Sequence, residues 1–141
     1  MFVVHGRDHE ALREVKTFFA DRAGSFELVV LAEQPSRGLT LIEKFEAYAA
    51  DSDLALVLLT PDDVGHLVAG TDPPRGRARM NVLFELGYFL GALRRRSGRV
   101  FILKKGDVEI PSDPAGVVYI DISAGVEAAQ EVIERELSDW L

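Results

Sequence analysis

Six consecutive apolar residues, Leu54-Ala55-Leu56-Val57-Leu58-Leu59, constrain this chain more tightly than any other segment. A half-buried strand alternates polar and apolar side chains, but this run offers water no face. It must therefore be a strand in the middle of a sheet, covered on both sides. The segments around it alternate between strand-like and helix-like patterns. Met1-Phe2-Val3-Val4-His5 reads as a short buried strand ended by Gly6-Arg7-Asp8. Asp8 can cap a helix reaching about Arg22, with Leu12, Val15, Phe18 and Phe19 at helical spacing. Residues 26–31 read as a second strand, followed by a loop over 33–38 and by a helix opened by Thr40, with Leu41, Phe45 and Tyr48 on one face. Beyond the central strand lie Thr60-Pro61-Asp62-Asp63-Val64-Gly65 and a Gly/Pro/Arg-rich loop to Arg77, longer than an idle connection tends to be. A helix around Glu85, a strand over 99–103, a turn-rich stretch to Gly116, a short strand over 117–120 and an amphipathic helix over 126–137 complete the chain.

Strands alternating with helices, the strands continuously apolar, predict an α/β protein with a parallel sheet and helices on both faces. For five strands the flavodoxin-like order 2-1-3-4-5 is favoured, and ligands of such sheets bind at the carboxyl ends of the strands, where the order switches. The loops after the first three strands and the start of the Glu85 helix are expected to converge there. The length of 141 residues suits one domain with a full core. A net charge of −7 argues against general binding to nucleic acid or to a membrane surface. The absence of cysteine removes thiolate chemistry and cysteine zinc sites and fits a reducing cytoplasm. His5, His9 and His66 lack metal-ligand spacing, so no metal is expected. No apolar stretch reaches membrane-spanning length, and the chain starts directly in a strand rather than a signal peptide.

Chemistry is concentrated around Glu85. It is the one charged residue between Met80 and Leu93, and arginines flank the segment (Arg75, Arg77 and Arg79 before it; Arg94, Arg95 and Arg96 after). A carboxylate in so apolar a helix is either a buried partner of an arginine or part of a cleft wall, and Asn81 and the arginine-rich approach favour the cleft. Asn81 and Tyr88 fall on the Glu85 face of the helix, while Gly87 and Gly91 leave a bare strip suited to close packing. Arg7 and Arg37 lie in loops at the expected cleft edge, where guanidinium groups can hold a diphosphate; singly, each reads equally as a solvated loop charge. Arg77 and Arg79 stand at the N-terminus of the Glu85 helix, where a cation opposes the helix dipole unless an anion lies between them. Asp62-Asp63 suits a turn better than a metal, Arg94-Arg95-Arg96 suits a helix C-terminus, and Trp140 suits core or interface.

Five ordered blocks carry a resemblance. They are Val3-Val4-His5-Gly6-Arg7-Asp8; Glu33-Gln34-Pro35-Ser36-Arg37-Gly38-Leu39-Thr40-Leu41-Ile42-Glu43-Lys44-Phe45; Leu58-Leu59-Thr60-Pro61-Asp62-Asp63-Val64-Gly65; Arg77-Ala78-Arg79-Met80-Asn81-Val82-Leu83-Phe84-Glu85-Leu86-Gly87-Tyr88-Phe89; and Lys105-Gly106-Asp107-Val108-Glu109-Ile110-Pro111-Ser112. Together they resemble the bacterial TIR-like predicted nucleotide-binding family, which includes the TIR domains of CBASS and Pycsar antiphage effectors and TIR–STING fusions. The resemblance spans essentially the whole chain. It implies a flavodoxin-like TIR fold and NAD+ glycohydrolase activity, with NAD+ as substrate, no further cofactor and Glu85 as the catalytic carboxylate. With such a substrate, the residues themselves offer Arg7 and Arg37 for the diphosphate and Asp8, Asp62 or Asn81 for polar contacts, beside Arg79 at the N-terminus of the Glu85 helix and Tyr88 on its Glu85 face. The resemblance also implies homotypic TIR–TIR assembly driven by a cyclic-nucleotide sensor, fused or separate. A single domain over 1–141 leaves no room for that sensor, so the chain is expected to be an excised part of a longer effector or to be activated another way.

Two other readings remain. A nucleoside 2-deoxyribosyltransferase-like enzyme would also use a glutamate on such a scaffold to attack a sugar C1, although the blocks at Arg37 and Asp107 fit it less well. A non-enzymatic TIR nucleotide-binding or assembly module would not need Glu85. A phosphoacceptor receiver is set aside because the third strand ends in Leu59-Thr60 rather than an aspartate.

Overall fold

Residues of opposite parity on the central strands point into two separate apolar layers, and this alternation organises the molecule. The computed structural model describes residues 1–20, 22, 27–93, 98–111 and 117–140. Its strands are β1 (Phe2–Val4), β2 (Val29–Val30), β3 (Ala55–Leu59), β4 (Asp63–Gly65), β5 (Arg75–Arg77), β6 (Val100–Lys104) and β7 (Val118–Asp121). Its α-helices are α1 (His9–Ala20), α2 (Leu41–Ala50), α3 (Met80–Ala92) and α4 (Gln130–Glu136). Five strands form a parallel sheet in the order β2-β1-β3-β6-β7. Without the separate β4–β5 ribbon, that is the expected order 2-1-3-4-5. Every residue of β3 is buried, as its sequence demands.

On one face Val3, Leu56, Leu58, Phe101 and Leu103 meet Leu12, Val15, Phe18 and Phe19 of α1 and Ile133 of α4. On the other, Phe2, Val4, Ala55, Val57, Leu59 and Ile102 meet Phe45 and Ala49 of α2 and Val82, Leu86 and Phe89 of α3. The Phe2 ring packs 5.0 Å from Phe89 and 5.6 Å from Phe45, and Phe45 lies 5.8 Å from Phe89, which ties α2 and α3 to the same strand. The helix starts follow local chemistry. The Ala11 N–H donates to Asp8 Oδ1 at 2.8 Å, so Asp8 caps α1. Thr40 and Glu43 cap α2 reciprocally in a capping box.

Several sequence expectations are corrected. The second strand is shorter than 26–31: β2 holds only Val29–Val30, and the chain turns into a 3-10 segment at Leu31–Glu33. As the edge of the sheet, β2 has a single neighbour, β1, to hold it extended. Phe26 lies outside the described residues, as do Arg94, Arg95, Arg96 and Ser112. Leu41 is 72% exposed, because the first turn of α2 projects beyond the layer that buries Phe45. The expected long loop to Arg77 contains the antiparallel β4–β5 ribbon. There Gly76 passes so close that a methyl group on it would lie 2.6 Å from the Asp107 carbonyl oxygen. Arg77 Nε donates to Glu109 Oε2 at 2.5 Å, so this arginine braces the ribbon instead of facing a ligand. The closing segment is a 3-10 turn at Glu127–Ala129 followed by α4, shorter than the helix expected over 126–137. Among the described residues nothing packs on Gly87 or Gly91: a methyl group at either would meet no atom of another element within 4 Å. No helix among the described residues is long and apolar enough to cross a membrane.

Candidate functional site

The parallel register brings the carboxyl ends of the strands to one edge, and a cleft of about 280 Å³ opens there. The turn after β1 supplies His5, Gly6 and Arg7, and the 3-10 segment after β2 supplies Leu31 and Ala32. The remaining wall comes from Val3 of β1, His9 at the start of α1, Leu41 and Lys44 of α2, Asn81 and Glu85 of α3, and Arg79 just ahead of α3. The segment after β3 supports the cleft from behind. Gly6 leaves space that the Asp62 carboxylate occupies, since a methyl group there would collide with it. Asp62 Oδ2 accepts the Arg7 backbone N–H at 3.1 Å, and Oδ1 accepts the buried Thr60 hydroxyl at 2.9 Å. The turn carrying Arg7 is thus fixed to the end of β3.

Glu85 is half-buried and has neither a hydrogen-bond nor an ion-pair partner among the described residues. Loss of hydration pushes its carboxyl up from the ordinary 4.5 to about 7. His5 is half-buried as well, and burial lowers its pKa, the Gly6 carbonyl partly opposing the effect. Its Nδ1 lies 2.9 Å from that carbonyl oxygen, an acceptor, so the proton resides on Nδ1 and Nε2 is left as an acceptor. Arg7, Lys44 and Arg79 also line the cleft, and no side chain of the three has an acidic partner among the described residues. The N-terminus of α3 has no capping side chain and no acid in its first turn. Unpaired cations, free helix N–H groups and a carboxyl near neutrality make a site for a ligand with anionic and cationic parts.

Residues 1–124 match the family model described as CAP12/Pycsar effector protein, TIR domain. The chain belongs to this family. Among curated relatives of this TIR domain, the uncharacterized protein YuaY of Escherichia coli (strain K12) is 51% identical over 122 residues, covering 86% of this chain and 39% of YuaY. Protein tirC of Dictyostelium discoideum is 27% identical, covering 94% of this chain and 69% of tirC. The Pycsar effector protein XpPycTIR of Xanthomonas perforans is 37% identical over 81 residues, 56% of this chain and 25% of its own length. The domain thus spans about two-fifths of YuaY and a quarter of XpPycTIR.

Of the residues singled out in the sequence, this TIR domain brings Glu85, Asn81, Arg79 and Arg7 together in one cleft. It places Asp62 behind the wall. Asp8 is engaged elsewhere, capping α1 and pairing with Lys105 Nζ at 3.1 Å. Although partial burial pushes the Asp8 carboxyl up, the Ala11 N–H and the Lys105 ammonium hold it below its ordinary value. Tyr88 turns its ring to Phe45, 4.8 Å away, and does not line the cleft. Arg37 is exposed in a left-handed conformation (φ 49°) next to Gly38 (φ 78°), outside the cleft lining. Among the cleft residues that sequence reasoning missed are His5 and Lys44. A signal existed for each: His5 ends the first strand directly before Gly6-Arg7, and Lys44 shares a helical face with Leu41 and Tyr48.

Proposed function

We propose that the cleft binds NAD+ and that Glu85 supports hydrolysis of its nicotinamide–ribose bond, within a TIR effector of antiphage defence. The observation that carries this reading is an unpaired, half-buried carboxyl with its pKa raised to about 7, in a cleft whose other charged groups are cations. The ligand is complementary: a cationic nicotinamide riboside joined to an anionic diphosphate. The C1′–N bond breaks with its electron pair passing to the pyridinium nitrogen, so nicotinamide departs neutral and needs no general acid. Positive charge develops on the ribose, and water adds to C1′ and releases a proton to give ADP-ribose. Ionised Glu85 stabilises that charge in a medium of low dielectric constant and orients the ribose hydroxyls. Arg7 and Arg79, with the N-terminus of α3, suit the diphosphate, and Asn81 suits a neutral polar group. NAD+ is the substrate in this scheme, and no resident cofactor is invoked.

The family membership supports a role as an assembled effector, with TIR–TIR packing promoted by a cyclic-nucleotide sensor, fused or separate. The decisive experiment measures NAD+ consumption and identifies the products at high protein concentration with a crowding agent, wild type beside Glu85→Gln. Nicotinamide release is expected from the wild type and is expected to vanish in a variant with unchanged circular dichroism. Full activity of that folded variant removes Glu85 from the mechanism. No release from assembled wild type turns the assignment to a non-catalytic assembly module.

A further inference from the structure

Three polar or charged residues are buried in the described structure: Lys44, Ser52 and Thr60. Ser52 Oγ donates to the Tyr48 carbonyl at 3.0 Å and Thr60 Oγ1 to Asp62 at 2.9 Å. Lys44 is different. It is only 7% exposed, yet its ammonium has no hydrogen bond and no salt bridge among the described residues. No buried side-chain nitrogen sealed from solvent lacks a partner, so the Lys44 ammonium keeps an opening, and the cleft that Lys44 lines provides it. Glu85 does not serve as its partner: burial raises the Glu85 carboxyl with no cation pulling it back. A buried side chain whose ammonium has no counter-charge and opens only to the cleft is placed to meet an anion there.

We propose that Lys44 is a phosphate-binding residue of the cleft, contributed by the α2 wall, and that it recognises the diphosphate of a nucleotide ligand. The inference rests on the cleft being the substrate site, and it does not depend on which bond is cleaved. Arg7 and Arg79 are exposed and work through a hydrated, screened field. Lys44 reaches the cleft from a buried stem with little freedom to move, so its ammonium is held in place for a charge-assisted hydrogen bond. The capping box at Thr40 and Glu43 fixes the first turn of α2 and hence the place from which Lys44 reaches. Because a diphosphate is bound alike in the ground and transition states, Lys44 acts on affinity rather than on the chemical step.

The test uses the whole chain and two probes, inorganic pyrophosphate and ADP-ribose, with binding read by calorimetry at low ionic strength. Lys44→Met keeps the aliphatic stem and removes the charge, and Lys44→Gln is the second variant should the first not fold. Both are expected to melt close to wild type, because the Lys44 ammonium makes no hydrogen bond or ion pair among the described residues. Both are expected to bind either probe at least about tenfold more weakly. With NAD+ as substrate, KM is expected to rise by a similar factor while kcat stays within about twofold. Wild-type binding of pyrophosphate by folded Lys44→Met overturns the proposal, as does absence of pyrophosphate binding by the wild type. If the wild type binds pyrophosphate through Lys44 but releases no nicotinamide, the phosphate site stands and the glycohydrolase reading alone fails.

Discussion

Glu85 opposes the stability of the fold that holds it. Its carboxyl titrates near 7 in the folded chain against an ordinary 4.5. Between those values the native state binds more protons than the unfolded state, so stability falls as pH rises through the window and reaches a lower plateau above it. The whole effect amounts to about 3 kcal/mol at most. Glu85→Gln keeps the shape and removes the titration. Chemical denaturation of that variant is therefore expected to show no such decline between pH 4.5 and 7, and higher stability than wild type at pH 8. A variant that remains as pH-dependent as wild type would show that burial is not what perturbs this group. The rate should carry the same signature with the opposite sign. Only the ionised carboxylate stabilises positive charge on the ribose, so kcat/KM should rise as pH passes through about 7. In the bound complex the cationic nicotinamide riboside favours ionisation, so the kcat profile should rise at lower pH than that of kcat/KM. A pH-independent kcat/KM from pH 5 to 8 would separate Glu85 from the rate.

At the scale of the element, α3 presents three very different faces. Val82, Leu86 and Phe89 are buried, Asn81 and Glu85 face the cleft, and Met80, Phe84, Gly87 and Gly91 follow one another along the outside. Met80 is 79% exposed and Phe84 61%. Glycine in a helix weakens it by about 1 kcal/mol relative to alanine, and no atom among the described residues uses the space at Gly87 or Gly91. Gly87→Ala and Gly91→Ala are each expected to raise the denaturation free energy of the dilute protein by about that amount. If the strip packs between copies, the same substitutions lower specific activity at high protein concentration; unchanged activity there would take the strip out of the assembly.

Most elements of this fold were legible because single local rules fixed them: the unbroken apolar run of β3, Asp8 ahead of α1, and the Thr40–Glu43 pair ahead of α2. The β4–β5 ribbon was not, since Asp63-Val64-Gly65 and Arg75-Gly76-Arg77 lack an apolar alternation and are held by Glu109 and the backbone near Asp107. In the cleft, Glu85 announced itself by standing alone among apolar residues. Lys44 did not, because a lysine on an amphipathic helix usually reaches solvent, and its burial depends on how α2 meets the sheet.

Charge is distributed unevenly over the whole molecule, and that sets how salt should act. The chain carries −7, yet Arg7, Lys44 and Arg79 surround the cleft without acidic partners among the described residues. Two like-charged copies repel each other while each attracts an anionic ligand to its cleft. Salt shortens the reach of both effects, from about 10 Å at 0.1 M to about 3 Å at 1 M. Raising ionic strength should therefore lower the protein concentration at which activity becomes cooperative and, in the same series, raise KM for NAD+. At low protein concentration these opposite trends should give a turnover that first rises and then falls with salt. At saturating NAD+ the fall should disappear and only the rise remain. A KM insensitive to salt would mean that the exposed arginines do not hold the ligand. Activity that never depends on protein concentration, at any ionic strength, would mean that one copy of this domain is the complete catalyst and that assembly serves another purpose.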